Sequence, residues 1–235
     1  MNEMLEVQGL KARYGAAQIL DDVSFVVRGG AVSALLGRNG AGKSTTFKAI
    51  IGLVQREGSV RFRGREIVGE TTYRIARAGL GYVPEDRRIF TELTVEENLE
   101  VGRQPPRDHA PHWTPEKIYA LFPNLGEMRR RPGGAMSGGE QQMLTVARTL
   151  MGNPLLLMLD EPSEGIAPRI VEQMAKAILD LKREGLSILV SEQNLHFAQL
   201  IADEAVILER GVVRFAGSFE DLQERPDVRD AYLAV

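Results

Sequence analysis

The sequence predicts an α/β fold in which helices flank a mainly parallel sheet, an antiparallel β layer packs alongside, and a helical segment is inserted. Three observations carry that expectation. Short apolar strands alternate with helical patterns along most of the 235 residues, the pattern of parallel strands joined by crossover helices. The segments Leu155–Leu159 and Ser187–Val190 read as apolar runs, as strands covered on both faces do. Between Thr94 and Gly152 the pattern turns helical with almost no strand signal.

In chain order, Leu5–Gly9 and Val23–Val27 alternate apolar and polar residues. With Ser59–Arg63, and bounded by Gly29-Gly30 and Gly64, they read as the antiparallel layer. Val32–Leu36 is a short apolar strand leading into a glycine-rich loop and a helix to about Gly52, and Gly81–Val83 is the next strand. Within the helical segment, Thr94 with Glu97 and Ser137 with Glu140 have the spacing of capping boxes. After the second box, Met143, Val146, Ala147 and Leu150 recur at i, i+3, i+4, i+7 to form an apolar face, and Gly152 and Pro154 stop the helix. The stretch Gln104 to Pro115 carries Pro105, Pro106, Pro111 and Pro115 and reads as a loop. Leu155–Leu159, Ser187–Val190 and Ala205–Leu208 complete the sheet. The expected organisation is one domain over 1–235, with core and β layer in about 1–93 and 153–215, a helical subdomain in about 94–152 and C-terminal helices in about 216–235.

Composition narrows the function. At 43% hydrophobic residues the chain can build a core. Lys plus Arg total 29 against 32 Asp plus Glu, a formal net charge of -3. No basic field is present to hold a phosphate polymer, so no nucleic-acid partner is expected. The absence of cysteine removes disulfides, Cys-based zinc sites and thiol nucleophiles, and fits a reducing compartment. The three histidines, His109, His112 and His196, are not spaced as a metal site. The longest strongly apolar run, Leu155 to Leu159, is far short of the roughly 20 residues that span a bilayer. Met1-Asn2-Glu3-Met4 is acidic and leads into alternating residues instead of an apolar h-region, so no export signal is expected and a cytosolic location is the default.

Two segments carry chemistry. Gly37-Arg38-Asn39-Gly40-Ala41-Gly42-Lys43-Ser44-Thr45 follows a strand and opens a helix, the context a P-loop requires. Its glycines let successive backbone N–H groups point into one concavity, and the helix adds the positive end of its dipole. The pattern assigns Lys43 to the β and γ phosphates of ATP and the Ser44 hydroxyl to Mg²⁺. The second segment, Leu155 to Pro162, is an apolar strand whose carboxyl end delivers Asp160 and Glu161 to the edge where open α/β sheets bind ligands. Asp160 is the expected carboxylate for Mg²⁺, directly or through water. Glu161 is the candidate general base for the water that attacks the γ-phosphorus.

Met136-Ser137-Gly138-Gly139-Glu140-Gln141-Gln142 opens a helix just upstream of the Asp-Glu strand and resembles the signature motif of ABC-type ATPases. These are P-loop NTPases with a RecA-like, mainly parallel core. Physically the motif is a second anion site, in which glycines allow close backbone approach and the Ser137 hydroxyl and helix N–H groups can bind a γ-phosphate. The resemblance implies that Ser137, Gly138 and Gly139 face the P-loop of a second ABC ATPase chain, in a homodimer or heterodimer that sandwiches two ATP molecules head to tail.

Further resemblance covers nearly the whole chain. Tyr14 lies where the family places an aromatic that stacks on adenine. Tyr82-Val83-Pro84-Glu85 matches a segment in which most relatives carry a Gln that touches the metal and senses the transmembrane subunit. Glu85 stands in its place, and its carboxylate can still supply an oxygen ligand. Ser191-Glu192-Gln193-Asn194 follows the Ser187–Val190 strand, where most relatives carry a His that contacts the γ-phosphate. Gln193 replaces it and can donate a hydrogen bond without positive charge. With Val95-Glu96-Glu97-Asn98-Leu99 and Ser163-Glu164-Gly165-Ile166-Ala167-Pro168, these departures resemble the ATP-binding subunits of branched-chain amino-acid importers of the LivF type. Asp86 in place of Gly and Glu164 at a position usually apolar add negative charge to loops that communicate across the dimer.

That resemblance implies a peripheral ATPase at the cytoplasmic face of the inner membrane. It would dock on integral-membrane permease subunits through the Glu85 region and the helical insertion, and drive uptake of a hydrophobic amino acid. Importers of urea or amides share the cassette and stand as alternatives. Soluble ABC ATPases that clamp DNA or ribosomes usually carry long coiled coils, zinc cysteines or two cassettes, none of which is visible here. A regulatory module with little hydrolysis is disfavoured by the Asp160-Glu161 pair.

Overall fold

A computed structural model of the chain describes residues 3–233. The expectations on Met1, Asn2 and 234–235 lie outside the described residues. The chain opens with β1 (Glu3–Tyr14) and β2 (Ala17–Arg28), followed by β3 (Val32–Leu36), α1 (Lys43–Ile50), β4 (Gln55–Phe62), β5 (Arg65–Glu66), α2 (Thr72–Arg77) and β6 (Leu80–Val83). Four helices come next: α3 (Val95–Gly102), α4 (Pro115–Leu121), α5 (Pro123–Glu127) and α6 (Gly138–Leu150). The rest is β7 (Leu156–Asp160), α7 (Pro168–Arg183), β8 (Ser187–Glu192), α8 (Leu195–Ile201), β9 (Glu204–Glu209), β10 (Val212–Ser218), α9 (Phe219–Gln223) and α10 (Pro226–Tyr232).

Two sheets form, as the α/β reading requires. One is antiparallel in the order β2-β1-β4-β5. The other runs β10-β9-β3-β8-β7-β6, with every pair parallel except β10 with β9. Strands of the parallel sheet are covered on both faces. Val32, Ala34 and Leu36 of β3, with Leu157 and Leu159 of β7, face a core shared with α6 and α7. Their alternate neighbours Leu35, Leu156 and Met158 face a second core shared with α1 and the antiparallel layer. That two-sided burial is why these strands read as unbroken apolar runs.

The strand bounds differ from expectation for identifiable reasons. β1 continues past Gly9 to Tyr14, and β2 begins at Ala17 instead of Val23. A register shift lies between Val7 and Leu10, and Gly9 sits at φ +56°, so the buried positions step from Leu5 and Val7 to Leu10 and Ala12. A bulge of this kind breaks the period of two on which strand reading depends. β10 was not expected at all. It is an edge strand of intermediate exposure containing Gly217, and it moves the start of the last helices from about 216 to Phe219. β7 runs one residue later than expected and takes in Asp160, while β8 takes in Ser191 and Glu192.

The helical stretch keeps its predicted signals. Both capping boxes form, at Thr94 with Glu97 and at Ser137 with Glu140. Met143, Val146, Ala147 and Leu150 are all buried. The proline-rich loop ends at Thr114, because Pro115 occupies the first turn of α4, where its missing N–H costs nothing.

Candidate functional site

Sheet order and register build the site. β8 lies between β3 and β7, with Leu36 opposite Glu192 and Ser191 opposite Asp160. The loop after β3 and the carboxyl ends of β7 and β8 therefore emerge side by side, where ligands of parallel sheets bind. A cavity of about 430 Å³ opens there. Asn39, Gly40, Gly42, Lys43, Ser44 and Thr45 line it, together with Tyr14 and Ile19 and the carboxylates of Glu85, Glu161 and Glu164.

The loop's shape depends on its glycines. A Cβ on Gly37 would lie 2.4 Å from the Leu208 carbonyl oxygen, and Gly42 sits at φ +108° with Leu20 2.8 Å from where a Cβ would be. Either substitution forces the loop to move. Arg38 and Ala41 complete the turn, with the Ala41 N–H donating to the Arg38 carbonyl at 3.0 Å. Unlike α3, α6 and α9, α1 starts with no side-chain cap. Its first N–H groups are thus not consumed by the chain's own side chains. Lys43, only 4% exposed, donates to the carbonyls of Gly37 at 2.7 Å and Arg38 at 3.1 Å, and pairs with Glu161 at 3.0 Å.

Asp160 is buried and accepts three hydroxyl hydrogen bonds, from Ser191 at 2.6 Å, Ser44 at 3.0 Å and Tyr82 at 3.1 Å. Burial raises its pKa above the ordinary carboxylate value, against the pull of those donors. Glu161 follows in a left-handed conformation, φ +48°, its N–H directed at the Ser191 carbonyl and hydroxyl, both at 3.1 Å. Burial raises its pKa too. The Lys43 ammonium opposes that shift, and Glu164 adds to it. A carboxylate whose pKa is raised is a stronger base than an ordinary one, which suits it to accept a proton from water.

The donor set fits a hard divalent cation. Ser44 and Asp160 place oxygens 3.0 Å apart, and a cation supplies the opposite charge that a buried carboxylate favours. Among the described residues no group of three or more His, Cys, Asp or Glu side chains is placed to hold a metal. Such a cation would complete its shell with phosphate oxygens and water, as Mg²⁺ commonly does.

Other expected residues lie apart. Ser137 is exposed at the start of α6, where its hydroxyl accepts the Glu140 N–H at 3.4 Å and its own N–H donates to the Glu140 carboxylate at 2.7 Å. Gly138 lies against the Arg87 guanidinium, which a side chain there would push aside, and buried Gly139 packs on Ile170. None of the three lines the cavity of its own chain. Gln193 is half-buried just beyond β8.

Sequence reasoning did not single out Ser191, Tyr82 or Glu192 as site residues. The only local signal was a Ser-Glu pair ending an apolar strand. Buried Glu192 has its pKa pushed up to about 7 by loss of water, against three hydrogen bonds that favour the carboxylate. Because the folded value lies above the unfolded one, its contribution to stability is full below about pH 4.5 and is lost as pH rises through about 7. Denaturant unfolding of the wild type and Glu192→Gln across that interval is expected to show their stability difference shifting by about 3 kcal/mol in favour of the variant.

The loop, the acid pair and the sheet order define a nucleotide-binding P-loop protein. The family profile described as "ABC transporter" matches residues 20–164, more than half of the chain. The chain belongs to the ATP-binding cassette family of ABC transporters, and it is an ATPase. It is 43% identical over 231 residues to the high-affinity branched-chain amino acid transport ATP-binding protein BraG of Pseudomonas aeruginosa, covering 98% of this chain and 99% of that protein. It is 35% identical to the probable branched-chain amino acid transport ATP-binding protein LivF of Archaeoglobus fulgidus, over 94% of each. Among solved structures, an ATP-binding cassette of an ABC transporter in its ADP conformation superposes with a TM-score of 0.81 at 26% identity, covering 98% of both chains.

Proposed function

We propose that this chain is the ATP-hydrolysing subunit of an importer of branched-chain amino acids, bound to integral-membrane permease subunits at the cytoplasmic face of the inner membrane. The convergence of Lys43, Ser44 and Glu161 on one cavity, with buried Asp160 hydrogen-bonded to Ser44 behind it, carries the hydrolytic part of the reading. The similarity to BraG and LivF supports the transported solute. No helix among the described residues is long and apolar enough to cross a membrane.

In this reading the P-loop amides and Lys43 hold the β and γ phosphates, and Tyr14 stacks on adenine. Mg²⁺, held by Ser44 and Asp160 with Glu85 nearby, would neutralise charge on the phosphates. Glu161 accepts the proton of the attacking water, and Gln193 donates a neutral hydrogen bond to the γ-phosphate. Exposed Ser137, with Gly138 and Gly139, serves the nucleotide of a second ATPase chain.

Permease docking is assigned to a cavity of about 500 Å³ bordered by α2, β6 and the ends of α3 and α6. Tyr73, Phe90 and Val101 line it as exposed apolar side chains, the kind of surface that partner subunits cover.

Two experiments test the reading. Mass spectrometry of proteins co-purified from gently solubilised membranes is expected to find permease subunits and an ATPase partner, and recovery without membrane proteins contradicts it. In the assembled complex, Ser137→Arg is expected to lower ATP turnover by about a hundredfold, the typical effect of losing a preorganised donor. ATP affinity of the isolated chain should be unchanged, because Ser137 is not part of its own cavity.

A further inference from the structure

The carboxyl end of β8 makes contacts for which the proposed chemistry has no use. Glu192 is 1% exposed, yet its carboxylate contacts no group assigned to nucleotide. One oxygen accepts the Ser163 N–H at 3.1 Å. The other accepts the Ser163 hydroxyl at 3.0 Å and the Asn194 N–H at 3.3 Å. Ser163 lies two residues after Glu161, and Asn194 directly follows Gln193. The preceding residue, Ser191, already holds the Glu161 N–H and donates to Asp160. Both ends of the 161–163 turn are therefore tied to the last two residues of β8.

We propose that Glu192 is a positioning residue: its carboxylate locks the turn that carries Glu161 to the loop that carries Gln193, so that the two hold one geometry relative to the phosphate loop. Three features support the assignment. A buried carboxylate is costly unless its lone pairs are met, and here three donors converge on it from two different loops. Glu161 is held in a left-handed conformation that a free chain populates poorly, so something outside the residue must define it. Within the turn the backbone brace is the Glu164 N–H to the Glu161 carbonyl at 3.1 Å, and the bonds that reach it from outside come from Ser191 and Glu192.

This inference rests on the reading of Glu161 as the base. Loss of the clamp should slow the chemical step far more than it weakens ATP binding, because Lys43 and the P-loop amides do not depend on Glu192 and only the neutral Gln193 contact does. A displacement of about 1 Å at a reacting group costs on the order of a hundredfold.

The test is steady-state hydrolysis and ATP binding for Glu192→Ala, Glu192→Gln, Ser163→Ala and the double variant Glu192→Ala with Ser163→Ala. Glu192→Ala should lower kcat roughly ten- to hundredfold with the ATP Kd changed by no more than about threefold. Glu192→Gln keeps one acceptor oxygen and should recover most of the rate. The double variant should be no slower than Glu192→Ala alone, since both remove the same contact. Wild-type kcat in Glu192→Ala, additive losses in the double variant, or a rise in Kd at constant kcat would each overturn the clamp. If Glu192→Ala does not fold, Ser163→Ala and Glu192→Gln decide the matter, and wild-type kcat in both overturns it. Glu161→Gln measured alongside separates the two readings. Retained turnover there refutes the base, whereas lost turnover there with none lost in Glu192→Ala refutes only the clamp.

Discussion

Replacing Glu161 with Gln is expected to lower ATP turnover at least about a hundredfold while leaving ATP bound, because a positioned general base contributes roughly 10²- to 10⁴-fold. The substitution keeps the shape of the side chain and an oxygen that can still accept from Lys43, now 3.0 Å from the carboxylate. Only the capacity to take a proton is removed. Burial and Glu164 hold the Glu161 carboxyl above its ordinary pKa, which brings it closer to the working pH of the reaction. Phosphate release measures turnover, and retention of radiolabelled ATP measures binding. Undiminished release would refute the assignment of the base.

Lys43→Ala is expected to act on binding. The Lys43 ammonium is almost fully enclosed and donates to two loop carbonyls while pairing with Glu161. Truncating one member of a buried hydrogen-bonded charge pair costs about 3 kcal/mol, roughly a hundredfold in affinity for the triphosphate. Folding should be less affected than binding. Without its cation Glu161 can take up a proton, since burial already disfavours its charge. Lys43→Arg is not expected to restore binding, because the enclosed space around a compact ammonium does not admit a planar guanidinium. Titration calorimetry with ATP is the direct measurement. Wild-type affinity in Lys43→Ala would remove Lys43 from the phosphate site.

How far the sequence announced this site follows from what is local. The P-loop is nine consecutive residues, and its glycines, lysine and hydroxyl are legible because spacing alone sets their geometry. Asp160 and Glu161 are legible for a similar reason, at the end of an apolar strand. Their supports are not. Ser191 reaches Asp160 across 31 residues of sequence and Tyr82 across 78, contacts that exist only because β7 pairs with β8 on one side and β6 on the other. No periodicity encodes that register. The same limit hid the full lengths of β1 and β2, where a bulge at Gly9 slips the alternation, and hid β10, whose edge position leaves it half exposed. The capping box at Ser137 was readable and is present. A role for that helix start in serving another chain comes only from resemblance, since nothing in one chain's sequence encodes the facing surface.

In the proposed function, ATP hydrolysis at this site drives uptake of branched-chain amino acids through a membrane partner. The most direct measurement is uptake of radiolabelled leucine, isoleucine and valine into proteoliposomes carrying the co-purified complex, with its solute-binding subunit supplied where the complex uses one. ATP is added on the side of the vesicle that exposes this chain. The expected result is uptake that requires ATP and disappears with Glu161→Gln. Uptake that proceeds without ATP or survives that substitution, or ATP-driven uptake of some other solute with none of these three, would contradict it.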